Sequence, residues 1–368
     1  MEETAGASNL NAHERIVALL HEAAERDASD IHLVPGYPAT LRIHGRLETC
    51  ADQRDLTPDA LEAMLRTIIP ENIQAHLGEL KNADFSTTVD HAGETRRFRT
   101  NVYYARGDLC ACLRHIPTRI PSFDWMGFSA GLAERLITHR NGMVIITGVT
   151  GSGKSTTLAG LVNLLNERGG YRIITVEEPI EYAHPRISSS MVTQREVGRD
   201  VDSFLDGLKY GLRQDPDVIL VGEIRDQETA RMALSAAETG HLILTTLHTQ
   251  DAKGAITRFV DLFPHGAQGD VRTQLSLSLR SVVSQHLVPS AQDGEKRVLA
   301  LEVMHVNQPV RIAIKFGKID SIESAIQTGK RDGLIMLDDD LERLVKTGRI
   351  TYESARRFAK DPDALGGV

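Results

Sequence analysis

Gly148-Val149-Thr150-Gly151-Ser152-Gly153-Lys154-Ser155 most restricts what this chain folds into, because it satisfies G-x-x-x-x-G-K-[ST] between an apolar run, Met143 to Thr147, and a helical pattern. Composition alone produces such a match in on the order of one chain in a hundred of this length, and the strand-to-helix context lowers that further. In such a turn the glycines let successive backbone N–H groups curl around phosphates, and the helix N-terminus adds partial positive charge. Lys154 is expected to reach the β and γ phosphates and the Ser155 hydroxyl to hold Mg²⁺, with Thr156 closing the nucleotide-binding set. ATP with Mg²⁺ is the ligand this predicts.

Three further short apolar runs follow, Arg172 to Val176, Val218 to Val221 and Leu242 to Leu247, separated by helical patterns. Alternation of this kind predicts a parallel α/β sheet with both faces covered. Ligands of such sheets bind at the carboxyl ends of the strands. Glu177, Glu178 and Glu181 close one run, a costly cluster unless a cation or solvent compensates it. Glu223 closes another, after a Gly222 that stands where an aspartate is more usual, and becomes the candidate to meet Mg²⁺ through water or to polarise an attacking water. His241 and His248 flank the third run, and each is a candidate to approach a phosphate or to relay subunit movement.

The chain has 368 residues, enough for two or three domains. Asn11 with Glu14 reads as a capping box opening a helix up to about Arg26, and Thr57-Pro58 starts a second helix. Strands are expected at Asp30 to Val34 and Thr40 to His44, with Gly45 beginning a reversal, and Arg96 to Arg114 alternates basic or polar with apolar residues. This predicts a small α+β domain over 1–115, a linker over 116–129, a P-loop core over 130–306 and a charged helical region over 307–368. Forty-two Lys plus Arg against fifty Asp plus Glu give a net charge of −8, which argues against a nucleic-acid partner. Three cysteines, Cys50, Cys110 and Cys112, lack metal-ligand spacing and read as reduced thiols. The acidic start Met1-Glu2-Glu3-Thr4 predicts no secretory signal, and no apolar run approaches the roughly 20 residues needed for direct membrane insertion.

Together these residues resemble the secretion and pilus ATPase superfamily. The resemblance rests on the P-loop turn, Glu177-Glu178-Pro179-Ile180-Glu181 as an aspartate box, Leu212 through Asp226 as the Walker B strand, and Thr239 through Thr249 as the histidine box. Supporting stretches are Ala28 to Leu33, Arg97 to Asn101, Val282 to Leu287 and Ile326 to Gly329. No cysteine follows Cys112, so the four-cysteine zinc module usual in extension and secretion branches is missing, which favours the pilus-retraction branch. Glu178 stands where the family usually has Asp. The retraction-type segment A-I-R-N-L-I-R-E corresponds to Pro309 through Phe316, whose Arg311, Ile314 and Lys315 are expected to form a coupling face.

The resemblance implies a RecA-like P-loop ATPase domain preceded by a smaller PAS-like domain, assembled as a homohexamer. It further implies action on an inner-membrane pilus platform protein and pilus machinery from the cytoplasmic face. Glu177 and Glu223 would be catalytic with Lys154, Glu178 would join Ser155 and Glu223 at the metal, and Arg97, Arg99 and Arg114 would complete a neighbouring subunit's site. The alternatives are a nucleotide-gated accessory ring subunit or an export ATPase of the same superfamily.

Overall fold

The computed structural model describes residues 11–26, 28–43, 46–75, 77–91, 94–116, 119–187, 189–292, 296–363 and 365–366. The acidic start at Met1 to Thr4, the end of the second expected strand at His44 and the reversal at Gly45 lie outside them. The chain divides into two compact units, Met1–Arg119 and Ile120–Val368.

In the first unit, helix α1 (Ala12–Glu25) starts at a complete capping box, with Glu14 N donating to Asn11 Oδ1 at 2.9 Å and Asn11 N donating to Glu14 Oε2 at 2.8 Å. Its buried stripe, Ile16, Leu19, Leu20 and Ala23, packs with α2 (Pro58–Arg66), which Thr57 caps, against a sheet. The helical turns α3 (Glu71–Gln74) and α4 (Leu77–Leu80) follow. Strands β1 (Asp30–Leu33), β2 (Thr40–Ile43), β3 (Arg46–Thr49), β4 (Asn82–His91), β5 (Glu94–Ala105) and β6 (Asp108–Ile116) pair antiparallel in the order β3-β2-β1-β6-β5-β4 among the described residues. Phe98, Val102, Ala111 and Leu113 face the helices. Arg97 and Arg99 alternate with Phe98 and so take the opposite face, where Arg99 sits directly across from Arg114.

The second unit opens with α5 (Phe123–Met126) and α6 (Ala130–Ile137), capped by Ser122 and Ser129. The stretch 116–129, expected as a linker, thus carries a helical turn. Phe123 and Met126 of that turn pack on the P-loop helix so closely that a Cβ at Gly160 would lie 2.9 Å from Met126 Cε.

The sheet comprises β7 (Gly142–Thr147), β8 (Arg172–Glu177), β9 (Met191–Glu196), β10 (Val218–Val221), β11 (Leu242–Leu247), β12 (Leu279–Val288) and β13 (Val298–His305). Their order is β13-β12-β7-β11-β10-β8-β9, parallel except for β13. Helices α7 (Lys154–Arg168), α8 (Phe204–Gly211), α9 (Gln227–Glu238), α10 (Ala252–Asp261) and α11 (Gln268–Ser278) accompany these strands, with separate apolar clusters on its two faces. This accounts for β7, β10 and β11 reading as unbroken apolar runs.

Helices α12 (Gln308–Lys315), α13 (Ser321–Thr328), α14 (Leu337–Lys346) and α15 (Tyr352–Phe358) complete the chain. In α12, Val310, Ala313 and Ile314 are buried, while Lys315 and Phe316 are exposed. Ile314 therefore belongs to the core rather than to an outward face with Arg311 and Lys315. No helix among the described residues is long and apolar enough to cross a membrane.

Candidate nucleotide site

Strand β7 sits inside the sheet, and its carboxyl end delivers the P-loop. Gly148 has φ 146°, and a Cβ there would meet Gln285 O and Ser152 Oγ at 2.5 Å, so the loop closes against β12 only with glycine. Gly153, at φ 90°, turns the chain into α7 in the left-handed region that a side chain disfavours. The Lys154 ammonium is buried and donates to Gly148 O at 2.9 Å and Val149 O at 3.1 Å. Burial pushes its pKa down, while Glu223 and Glu181 oppose that shift. Thr156 Oγ1 is 3.1 Å from Tyr182 OH.

The parallel register brings the other strand ends to the same edge. Glu177 Oε1 accepts from Thr175 Oγ1 at 2.5 Å and from Gln194 Nε2 at 3.1 Å. Glu223 Oε1 is 2.5 Å from an Arg225 guanidinium nitrogen, and Glu223 Oε2 is 3.2 Å from His248 Nε2. The same guanidinium reaches Glu178 Oε2 at 3.4 Å. A Cβ at Gly222 would come within 3.2 Å of Phe204 Cε1 and Val176 O, so a side chain there would be tightly packed. Glu177, Glu178, Gly222, Glu223 and His248 line one cavity of about 550 Å³ in the second unit, together with Lys154, Ser155, Glu181 and Gln285.

His241 lies elsewhere. It precedes β11, at the amino edge of the sheet, with Nδ1 3.1 Å from Ala236 O. Six strand residues, about 20 Å, separate it from His248. Of these two histidines, His248 lines the P-loop cavity and His241 does not. Arg97, Arg99 and Arg114 all belong to the first unit's sheet. Arg114 pairs with Asp30 at 2.8 Å, Arg99 with Asp84 at 3.6 Å, and Arg97 donates to Ser86 Oγ at 3.2 Å. Burial works to raise the Asp30 carboxyl, but the bonds from Arg114 and Ser29 hold it below its ordinary value.

The cavity suits a polyphosphate and Mg²⁺. Ser152 Oγ is buried without a protein partner, the α7 N-terminus faces in, and Glu178 and Glu223, both now paired with the Arg225 guanidinium, lie at the same edge. No three His, Cys, Asp or Glu side chains among the described residues form a metal cage by themselves.

Arg225, Tyr182, Gln194 and Gln285 were not singled out in the sequence as site residues. Arg225 lies two residues past Glu223, yet nothing in its spacing separates it from a solvated arginine. Gln285, whose Nε2 donates to Thr157 Oγ1 at 2.8 Å, reaches the site across 128 residues of chain.

Residues 7–359 match the family model for type II/IV secretion system proteins. The chain is 40% identical over 337 residues to the uncharacterized protein YggR of Escherichia coli, covering 92% of this chain and 99% of that one. It is 40% identical over 348 residues to the type IV pilus retraction ATPase PilT of Pseudomonas aeruginosa, covering 95% and 99%. A crystal structure of the pilus retraction motor PilT with bound ADP superposes with a TM-score of 0.87 at 42% identity, covering 95% of this chain and 98% of that one.

Proposed function

The chain belongs to the type II/IV secretion system protein family, and from that premise we propose that it is an ATP-hydrolysing motor that drives retraction of a type IV pilus. The observation that carries the reading is the convergence of Lys154, Ser155, Glu177, Glu223 and His248 on one cavity at one sheet edge.

The α7 N-terminus and the loop N–H groups bind and orient the phosphates, and the Lys154 ammonium, now shared by two loop carbonyls, turns to a phosphate oxygen. Glu223 orients the attacking water and receives its proton, with His248 and Arg225 fixing its two oxygens. Glu177 is held by Thr175 and Gln194 in a fixed rotamer beside it. Ser155, Glu178 and Glu223 would hold Mg²⁺, which would supply positive charge against the developing phosphate charge. A head-to-tail homohexamer would supply a further transition-state cation from Arg97, Arg99 or Arg114 of the neighbouring subunit, worth about 10³ to 10⁵ in rate. The ring would work on a platform protein and pilus machinery at the cytoplasmic face of the inner membrane.

Glu223→Gln should keep ATP binding while lowering turnover by about 10² to 10⁴. Turnover equal to the parent's would remove Glu223 from the chemistry. In cells lacking the gene, fluorescently labelled pili should extend and persist, whereas absent pili would assign the motor to assembly instead.

A further inference from the structure

The strand order gives the cavity two chemically different ends. The P-loop follows β7, so β11 and β10 bring His248 and Glu223 to one side of it, while β12 and β13 bring Leu287 and Leu299 to the other. With the terminal phosphate toward Glu223, the base of a nucleotide therefore lies on the β12–β13 side.

Trp125, the one tryptophan of the chain, stands there at the end of α5. It is 57% exposed despite its size. Its position is nonetheless fixed. Ser122 Oγ accepts from its N–H at 3.2 Å, and its neighbours Phe123 and Met126 pack on α7. The Lys296 ammonium sits 3.9 Å from the ring centroid and also donates to Trp125 O. Next to it, Arg297 donates to Gly151 O at 3.3 Å, which ties this wall to the P-loop itself.

A large indole, exposed at the mouth of a phosphate site and held by a cation, is the surface an aromatic base uses for stacking. We infer that Trp125 is the stacking platform for the purine base of the bound nucleotide, and that Lys296 is a positioning residue that holds the indole in place. The inference rests on the ATPase reading and adds to it a base-recognising subsite built from α5 and Lys296-Arg297, just before β13.

Because the chain has a single tryptophan, its emission reports the subsite directly. ADP should change the emission of the full-length protein, whereas inorganic tripolyphosphate should bind and leave it nearly unchanged. By calorimetry, Trp125→Ala should raise the Kd of ADP roughly fivefold to 140-fold, the equivalent of about 1 to 3 kcal/mol at about 1.4 kcal/mol per tenfold. The tripolyphosphate Kd should stay within about twofold, and Trp125→Phe should recover most of the ADP affinity. An ADP Kd unchanged in Trp125→Ala overturns the stacking role alone, as does equal weakening of both ligands, which would mark damage to the loop. A parent protein that binds neither ligand overturns the ATPase reading and the stacking role with it.

Discussion

Lys360→Met tests whether the C-terminal segment holds the histidine-bearing loop in place. Glu302, on β13, is 1% exposed, and its Oε2 accepts from Lys360 Nζ at 2.5 Å while its Oε1 accepts from Ala252 N at 2.7 Å. Lys360 also reaches Asp251 Oδ2 at 3.3 Å, and Asp251 caps α10 three residues after His248. Removing one partner of a buried pair costs about 3 to 5 kcal/mol, because the other charge stays behind unpaired. Lys360 is 26% exposed and the Ala252 N–H remains, so the expected loss falls below that range, at about 2 to 3 kcal/mol.

The sign of the pH dependence follows from the same contacts. Burial pushes the Glu302 pKa up, and Lys360 and the Ala252 N–H act against it. Without the lysine it rises further. A carboxyl whose folded pKa exceeds its unfolded value loses stability as pH rises, so the deficit of Lys360→Met should be larger at pH 8 than at pH 5. Urea unfolding followed by Trp125 emission reads the second unit directly. Adding Glu302→Gln should restore at least half of the loss. A deficit under about 1 kcal/mol, or one that neither pH nor Glu302→Gln changes, would refute the argument.

Burial lowers the His184 pKa to about 4, and burial together with Arg135 and His139 lowers that of His305 to about 4. The unfolded chain binds more protons between that value and about 6.5, so stability should fall as pH drops through this window, by up to about 1.4 kcal/mol per pH unit for each. Thermal unfolding at pH 5 and 7 of the parent and of His184→Gln/His305→Gln checks it, the variant losing less; equal losses would exclude these two groups. Mixing Arg99→Ala with Lys154→Ala subunits should restore part of the ATPase activity if the arginine acts in trans. Mixed rings no more active than either mutant would exclude Arg99 from the neighbouring site.

The parts of this site that local backbone chemistry determines were legible in the sequence, and those made by contacts distant in the chain were not. Glycines at fixed offsets, an unbroken apolar run before them and a helical pattern after them leave a single reading of 148–155, and the same apolar runs identify β8, β10 and β11. Two of those runs, β8 and β10, also carry a carboxylate at their end, so Glu177 and Glu223 follow at once. His241 shows where spacing is insufficient. Two histidines flanking one strand look equivalent in sequence, yet a parallel strand has one end at the ligand and the other about 20 Å away. The polarity of β11 relative to β7 decides between them, and His248 is on the correct side.

Trp125, Lys296 and the Glu302–Lys360 pair carry no periodic or motif signal, because each acquires its role only through a partner elsewhere. Lys296 meets Trp125 across 171 residues, and Lys360 meets Glu302 across 58. Trp125 lies in a stretch whose two prolines and lack of period read as a linker, since one helical turn is too short to show a period. What fixes that turn is Ser122 at one end, Gly127 in the left-handed region at the other, and a Gly160 small enough to admit Met126. The phosphate-binding turn and the strand-end carboxylates thus sit on backbone features that a sequence displays, whereas the wall built by Trp125 and Lys296 depends on side chains that only the fold brings together.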